Sequence, residues 1–203
     1  MDAPTLIYLF RHGEVREADR RRFIGHRDVP LSPRGEAQCR AQARWLLEAK
    51  PVGLYASDLA RAYRSAQLLG APLGLEPVPL PALREVAMGR WEGLSADEIE
   101  RREPSAFATW AARMGTVPFP GGESLADVLA RAWPALEAIV RAHAGRTVAV
   151  VAHGGTNRAL LCRALGVPLD RALVFGQDYA ALTVLEVDRA RWRLRRLNEG
   201  PVL

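Results

Sequence analysis

Short apolar segments alternate with amphipathic helical segments along most of this chain, and this alternation constrains its fold more than any other feature. The apolar segments with the length of buried strands are residues 5–10, 52–56 and 146–152. The helical segments that follow them are residues 33–50, 59–70 and 156–165. Apolar strands separated by helices are typical of a sheet that is covered on both faces. The sequence therefore predicts an α/β fold, a three-layer α/β/α sandwich with a mostly parallel central sheet.

The C-terminal part of the chain predicts a different kind of strand pairing. Residues 172–175, 180–187 and 191–197 have strand patterns, and residues 188–190 would join the last two strands as a hairpin. A hairpin contributes antiparallel strands, so we expect an antiparallel edge on the sheet. The proline-rich connection after residue 70 leaves room for one short strand near residues 76–80, since proline has no N–H for a ladder.

Helix starts are marked by residues that cap backbone N–H groups. Ser32 precedes Pro33, which combines a favoured N-cap with a proline at the first helical position. Ser57 or Asp58 is expected to cap the helix that ends near Gly70.

The middle of the chain predicts a small helical cap, at about residues 95–120, inserted into a single domain of residues 1–203. Ser95 and Glu98 form a capping-box pattern, and Pro104 is placed to begin a second helix. Residues 123–142 form a longer helical pattern, which Pro134 is expected to kink or divide.

Composition excludes several classes of protein. With 203 residues, 49% of them hydrophobic and 25% charged, the chain is long and apolar enough to bury a core. Its longest apolar runs fall far short of the ~18 residues of a membrane-spanning helix, and its N-terminus has no signal-peptide pattern. The two cysteines, Cys39 and Cys162, lie outside metal-type spacings and suit a reducing compartment. We therefore expect a cytoplasmic protein without a membrane partner.

The net charge of +5 raises the question of a nucleic-acid partner. All basic residues except Lys50 are arginines, and they are spread over the whole chain without an RNA-binding or zinc-finger pattern. This distribution indicates a compositional bias, so no nucleic acid is expected. Arginine also matches two phosphate oxygens with one guanidinium group, which suits a phosphate ligand.

Two histidines follow directly after predicted strands. His12 comes after the first strand and His153 after the most strand-like segment of the chain. In open α/β sheets, ligands bind beyond the carboxyl ends of the strands. Either histidine alone is weak evidence, because a histidine after a strand is more often an ordinary loop residue. The two positions together indicate a functional site.

Four motifs in order along the chain strengthen this indication. They are Arg11-His12-Gly13-Glu14, the segment SDLARA at residues 57–62, LRE at 83–85 with GRWEG at 89–93, and His153-Gly154-Gly155. With PGGES at residues 120–124, they resemble the histidine phosphatase superfamily, which includes cofactor-dependent phosphoglycerate mutases and α-ribazole phosphatases. The resemblance covers nearly the whole chain.

The resemblance implies a role for each motif residue. His12 would attack phosphorus and form a phosphohistidine, which divides one displacement into two. Arg11, Arg61 and His153 would neutralise the phosphoryl oxygens, and Glu85 would protonate the leaving oxygen and then activate water. Substrate contacts are expected from Arg11, Arg61, His153, Gly154, Phe23 and Gly25. No metal and no other cofactor is implied.

The roles of other residues near these motifs stay open, or the residues are not included in the catalytic set. After Glu14 the family usually continues with Thr or Ser and then Asn, whereas this chain has Val15 and Ala18, so the substrate is in doubt. His26 could face the substrate or solvent, and so could the arginines at 20–22. Glu92 competes with Glu85 as a carboxylate, but its position in the family is more often structural.

Three functions remain open at this stage. The first is a metal-independent phosphomonoesterase for a small phosphate ester, with α-ribazole phosphate as one candidate. The alternatives are a cofactor-dependent phosphoglycerate mutase and a module that binds phosphate without turnover. A pure binder has no use for an acid such as Glu85.

Hydrolysis is expected over mutase activity because the cap is compact and carries few basic residues. A water-accessible pocket lined by Trp91 and Phe23 would suit a bulky or apolar leaving group. The expected partner is a small phosphate ester, and a homodimer is the expected assembly.

Overall fold

A mixed six-stranded sheet forms the centre of the computed structural model, which describes residues 3–16, 18, 22–189 and 191–202. The strands are β1 (Thr5–Arg11), β2 (Leu54–Ala56), β3 (Val78–Pro79), β4 (Thr147–Ala152), β5 (Leu182–Asp188) and β6 (Arg191–Glu199). In the order β3-β2-β4-β1-β5-β6, the first four strands are parallel, and β5 and β6 pair antiparallel. The predicted parallel sheet with an antiparallel edge is confirmed. Of the turn at residues 188–190, Ala190 lies outside the described residues.

Helices cover both faces of the sheet. They are α1 (Pro33–Ala49), α2 (Ala60–Gly70), α3 (Ala96–Arg102), α4 (Pro104–Ala112), α5 (Leu125–Ala142) and α6 (Gly154–Leu165). Leu46 of α1 and Leu69 of α2 share one buried cluster with strand side chains. Leu136 of α5 and Leu160 of α6 belong to a second cluster on strand residues of the opposite face. The three-layer α/β/α architecture is therefore confirmed.

The helical cap consists of α3 and α4 and packs on a third buried cluster that includes Trp91 and Ile99. Ser95 and Glu98 form the predicted capping box. Ser32 caps α1 as predicted, since its Oγ accepts a hydrogen bond of 2.9 Å from Gly35 N. Local cap chemistry thus sets the starts of both helices.

Two local predictions are wrong. Residues 172–175 are not a strand, because Leu169–Val174 is a 3-10 helix with Arg171 N bonded to Pro168 O at 2.9 Å. Leu173 and Val174 are exposed there, so their apolar character does not report burial in a sheet. Neither Ser57 nor Asp58 occupies the N-cap of α2; that position belongs to Leu59.

The predicted effect of Pro134 is also corrected in part, since α5 continues from Leu125 to Ala142 without division. Pro134 lies on the exposed side of α5, where water can bond the carbonyl that proline leaves without a donor. The opposite side of the helix is buried through residues such as Val128, Ala132 and Leu136. Packing of that side holds the two halves in one helix.

The end of β1 and the start of α1 approach each other so closely that neither side has room for a Cβ. A Cβ on Gly13 would lie 2.4 Å from Gly35 O, and a Cβ on Gly35 would lie 2.1 Å from Glu14 O. Gly13 N also donates to Ser65 Oγ at 3.0 Å. These contacts hold the backbone next to His12 between α1 and α2.

We predict that Gly35→Ala destabilises the protein although alanine is the better helix former. The added Cβ must displace the Glu14 backbone, which we expect to cost about 1–3 kcal/mol in the free energy of unfolding. Ala37→Gly is the control, because Ala37 is exposed in the same helix and reports helix propensity alone, about 1 kcal/mol or less. Denaturant unfolding of both variants measures this, and a Gly35→Ala protein as stable as wild type would contradict the close packing.

Candidate active site

Parallel pairing of β1 with β4 places the two motif histidines side by side. The register pairs Arg11 with Ala152, so His12 and His153 follow at equivalent positions, and their ring centroids are 5.1 Å apart. His12 N donates to Ala152 O at 3.0 Å, and His12 O accepts from Ala180 N at 2.9 Å. The His12 backbone is therefore held between the end of β4 and the turn that precedes β5.

The hydrogen bond of the His12 ring identifies its free nitrogen. Nδ1 lies 2.8 Å from Gly13 O. A carbonyl oxygen only accepts, so Nδ1 carries the hydrogen and donates it. Nε2 of neutral His12 then has an available lone pair. The tautomer is the one that a nucleophilic Nε2 requires.

Burial and positive charge keep both rings neutral. Burial lowers the pKa of His12 well below its ordinary value, and the charges of Arg61 and Arg11 lower it further. Burial likewise lowers the pKa of His153, with added effects from Arg61, His12 and Arg11. At neutral pH, His12 therefore presents a lone pair although it lies among arginines.

Buried Arg61 and half-buried Arg11 flank His12, and the guanidinium group of each is anchored on a backbone carbonyl. Arg61 of α2 is 1% exposed and donates to Gly25 O at 2.6 Å and to Arg27 O at 3.0 Å. Arg11 donates to Gln177 O and lies 4.0 Å from the centroid of the Tyr179 ring.

Several buried nitrogens at this site are unpartnered. In the described part of the chain, Nε of Arg11, Nε of Arg61 and Nδ1 of His153 have no hydrogen-bond partner. The other ring nitrogen of His153, Nε2, lies 2.8 Å from Ser57 Oγ. Buried donors without partners are costly. A phosphoryl group can supply the missing acceptors for the arginine N–H groups.

Glu85 lies at the N-terminus of α6, with its carboxylate oxygens facing backbone N–H groups. Oε1 accepts from Val86 N at 2.9 Å and Thr156 N at 3.1 Å, and Oε2 accepts from Gly155 N at 3.0 Å. A Cβ on Gly155 would lie 2.6 Å from Oε1, so a larger residue there would displace the Glu85 carboxylate. Unpaired N–H groups at a helix start attract a carboxylate, which sets the place of the Glu85 side chain.

A cavity of about 540 Å³ opens beside these residues, a size that suits a ligand larger than phosphate. Arg11, His12, Arg61, Glu85, Gly154 and Phe23, to which the sequence analysis assigns catalytic or substrate-binding roles, line it. His153 is fully buried beside His12. Trp91 is also fully buried, so the expectation that it lines the pocket is wrong; its indole packs behind Trp110, at 5.6 Å between centroids.

Gly25 and His26, two further residues of the predicted pocket loop, each take part in a hydrogen bond that a backbone carbonyl accepts. Gly25 is buried and its carbonyl bonds Arg61, so a substrate contact by Gly25 stays a prediction. His26 is exposed, and its Nε2 lies 2.8 Å from Glu85 O. Arg22 lines the cavity and donates to Gly93 O at 2.6 Å, whereas Arg20 and Arg21 lie outside the described residues.

Sequence reasoning missed Arg158 and Tyr179, two polar residues that line the cavity. Arg158 lies one helical turn after Gly154, and that spacing could have identified it. Tyr179 belongs to an irregular segment before β5, and only its tertiary contact with Arg11 reveals it.

The described residues contain neither a metal-ligand cluster nor a membrane-spanning helix. No three histidine, cysteine or acidic side chains within 3–16, 18, 22–189 and 191–202 are grouped as a metal-ligand set. Over the same ranges, no helix combines the length and the apolar character needed to cross a bilayer.

Comparison with known proteins agrees with the motifs and the geometry. The family model of the histidine phosphatase superfamily (branch 1) matches residues 7–200. Phosphoserine phosphatase 1 of Hydrogenobacter thermophilus is 33% identical over 192 residues, which cover 95% of this chain and 91% of that protein. The chain belongs to the histidine phosphatase superfamily.

Solved structures show the same architecture. A mycobacterial glucosyl-3-phosphoglycerate phosphatase in complex with VO3 has a TM-score of 0.87 and 34% identity, covering 96% of this chain and 99% of that one. The α-ribazole phosphatase of Shigella flexneri has a TM-score of 0.86 at 22% identity, covering 98% of this chain and 99% of that one, a likeness that concerns the fold alone.

We predict that Arg61→Gln raises the pKa of His12, because it removes a positive charge that lowers it. Nitrogen-15 NMR of labelled histidine, recorded against pH, should show neutral His12 with hydrogen on Nδ1 in the wild type at pH 6. In Arg61→Gln the ring should protonate at higher pH.

Arg64→Gln is the matched control for this titration. It removes the same charge from the same helix, but Arg64 is exposed and pairs with Glu36. We expect its His12 titration to follow the wild type. A cationic His12 at pH 6 in the wild type would contradict the proposed tautomer and the effect of burial.

Proposed function

We propose that this protein is a metal-independent phosphomonoesterase that forms a phosphohistidine on Nε2 of His12. The observation that carries the proposal is a neutral, buried nucleophile with a bare nitrogen, flanked by Arg11 and Arg61 with unpartnered N–H groups. The chain is a phosphoric monoester hydrolase, as its membership of this superfamily and its relatives named phosphatases support.

The first half-reaction transfers the phosphoryl group to the enzyme. Nε2 of His12 attacks phosphorus, the P–O bond to the alcohol breaks, and protonated Glu85 supplies the proton that the leaving oxygen takes. Arg11, Arg61 and His153 surround the equatorial oxygens, where the charge of the transition state lies. The alcohol then leaves through the cavity.

The second half-reaction returns His12 to its starting form. Glu85, now a carboxylate, accepts a proton from water while the water oxygen attacks phosphorus. The Nε2–P bond breaks, phosphate leaves, and the His12 lone pair is restored. Backbone N–H groups at the N-terminus of α6 hold the Glu85 carboxylate, so Glu85 is in place for both half-reactions.

The mutase alternative is not supported. Relatives reported above are named phosphatases. Apart from Arg22 and Arg158, the cavity lining outside the proposed phosphoryl-binding residues is mostly an apolar wall. The side chains of that wall are Phe23, Ile24, Val86, Met88, Phe107, Trp110, Met114, Phe119 and Leu125.

We propose that the substrate is a phosphate ester of an alcohol with an apolar or aromatic body. Trp110 contacts Phe119 with centroids 4.7 Å apart and meets Phe23 edge-on at 5.8 Å, so α4 contributes an aromatic wall to the cavity. Aromatic walls favour flat apolar groups. α-Ribazole phosphate is one candidate of this class and stays a prediction.

Cellular location and assembly also stay predictions. Cys39 and Cys162 are buried and free, which suits a reducing cytoplasm. A homodimer without nucleic-acid or membrane partners is the assembly proposed.

We predict that His12→Ala lowers turnover of p-nitrophenyl phosphate by on the order of 10³ or more, because no other group can take the phosphoryl group. Acid quenching of wild type with ³²P-labelled substrate should trap an acid-labile, alkali-stable phosphoprotein. The control His143→Ala removes a histidine that contacts Tyr55 at the end of α5, and it should keep activity and labelling. Near wild-type turnover by His12→Ala would exclude the mechanism.

Trp110→Ala tests the substrate class. In the wild type, kcat/KM should be higher for 1-naphthyl phosphate than for phosphoserine. The variant should lose roughly tenfold on the naphthyl ester, mainly through KM, and stay within about twofold on phosphoserine, because only the naphthyl ring reaches the wall. The control Trp192→Ala removes an indole that packs on Trp133 outside the cavity. A wild-type preference for phosphoserine would contradict the proposed class.

A further inference from the structure

Glu92 accepts hydrogen bonds from three successive backbone amides of the loop between β1 and α1. Its Oε1 lies 2.7 Å from Gly25 N and 3.2 Å from Arg27 N, and its Oε2 lies 3.3 Å from His26 N. Converging backbone N–H groups form an anion-binding concavity. The Glu92 carboxylate therefore sets the shape of residues 25–27.

The carbonyls of the same loop hold the buried guanidinium of Arg61. Gly25 O and Arg27 O accept from Arg61 at 2.6 and 3.0 Å, and Ile24 O lies 3.5 Å from the same guanidinium. Neighbouring peptide groups of this loop therefore bind both charged groups. Their N–H groups donate to Glu92, and their C=O groups accept from Arg61. The loop transmits the position of one charged group to the other.

The loop also contacts the segment that carries Glu85. The Glu85 carbonyl only accepts, so His26 Nε2 donates to it, at 2.8 Å. A Cβ on Gly25 would lie 2.4 Å from Val86 O, so the two backbones are in direct contact. A shift of residues 25–27 would therefore move Glu85 as well as Arg61.

We propose that Glu92 is a positioning residue of the active site, which orients Arg61 and Glu85 through the loop of residues 24–27. Glu92 does not touch the cavity; it acts through backbone amides. The inference rests on the proposed phosphatase function and adds a residue that sets its geometry.

Glu92→Gln tests the proposal, because an amide keeps the size of the side chain but places an NH₂ group against backbone N–H donors. We expect kcat/KM for p-nitrophenyl phosphate to fall about 10- to 100-fold and the affinity for orthovanadate to fall with it. Glu92→Asp keeps the charge and should recover part of both. Glu103→Gln is the control, since Glu103 pairs with the exposed Arg90 on the cap, and it should behave as wild type.

A double-mutant cycle with Arg61→Gln separates positioning from general stability. Because Glu92 is proposed to act partly through Arg61, Glu92→Gln should cost less in kcat/KM once Arg61 is replaced, and the loss that remains reports its effect on Glu85. The kcat/KM of every variant is measured at a temperature below its melting temperature. Equal losses in both backgrounds would overturn the proposal, and so would failure of both Glu92 variants to fold, which would assign Glu92 to folding.

Vanadate binding separates this proposal from the proposed function, because it requires no turnover. Wild-type protein that binds vanadate but hydrolyses no ester would contradict the phosphatase function. Unchanged vanadate affinity and unchanged hydrolysis in Glu92→Gln would contradict the positioning role of Glu92.

Discussion

The parallel pairing of β1 with β4 is the contact on which the active site depends. Its register ends both strands at the same level, so His12 and His153 follow at equivalent positions with ring centroids 5.1 Å apart. Backbone hydrogen bonds continue one residue beyond the strand, through His12 N and Ala152 O. The nucleophile is thereby placed by the sheet itself. A rigid strand end orients a side chain better than a mobile loop does.

Burial and positive charge set the protonation state of His12. Burial lowers the pKa of His12, the charges of Arg61 and Arg11 lower it further, and the same two guanidinium groups offer N–H donors without partners in the described structure. Positive charge thus favours neutral His12, and in the proposed mechanism the same charge neutralises the phosphoryl oxygens. The unpartnered donors cost stability in the free protein, as functional sites commonly do.

Two carboxylates, those of Glu92 and Glu123, help to hold the backbone segments around Arg61 and Glu85. Glu92 accepts from the loop that holds Arg61, and Glu123 pairs with Arg131, which donates to the Glu85 carbonyl at 2.9 Å. Arg131 also bonds the carbonyls of Ala82 and Arg84, each at 2.8 Å. The segment around the proposed acid is thus fixed through its backbone. The Glu85 side chain is positioned separately, by its hydrogen bonds with backbone N–H groups of α6.

Sequence alone determined the sheet pattern, the capping of α1 and α3, and the residues proposed to contact the phosphoryl group, because strand periodicity, caps and short motifs are local properties. It could not determine the 3-10 helix at Leu169–Val174, since exposed and buried apolar residues look alike in a sequence. It also could not place Trp91 behind Trp110, Tyr179 against Arg11, or Glu92 on the loop that bonds Arg61. These contacts join distant segments, and only tertiary packing decided them.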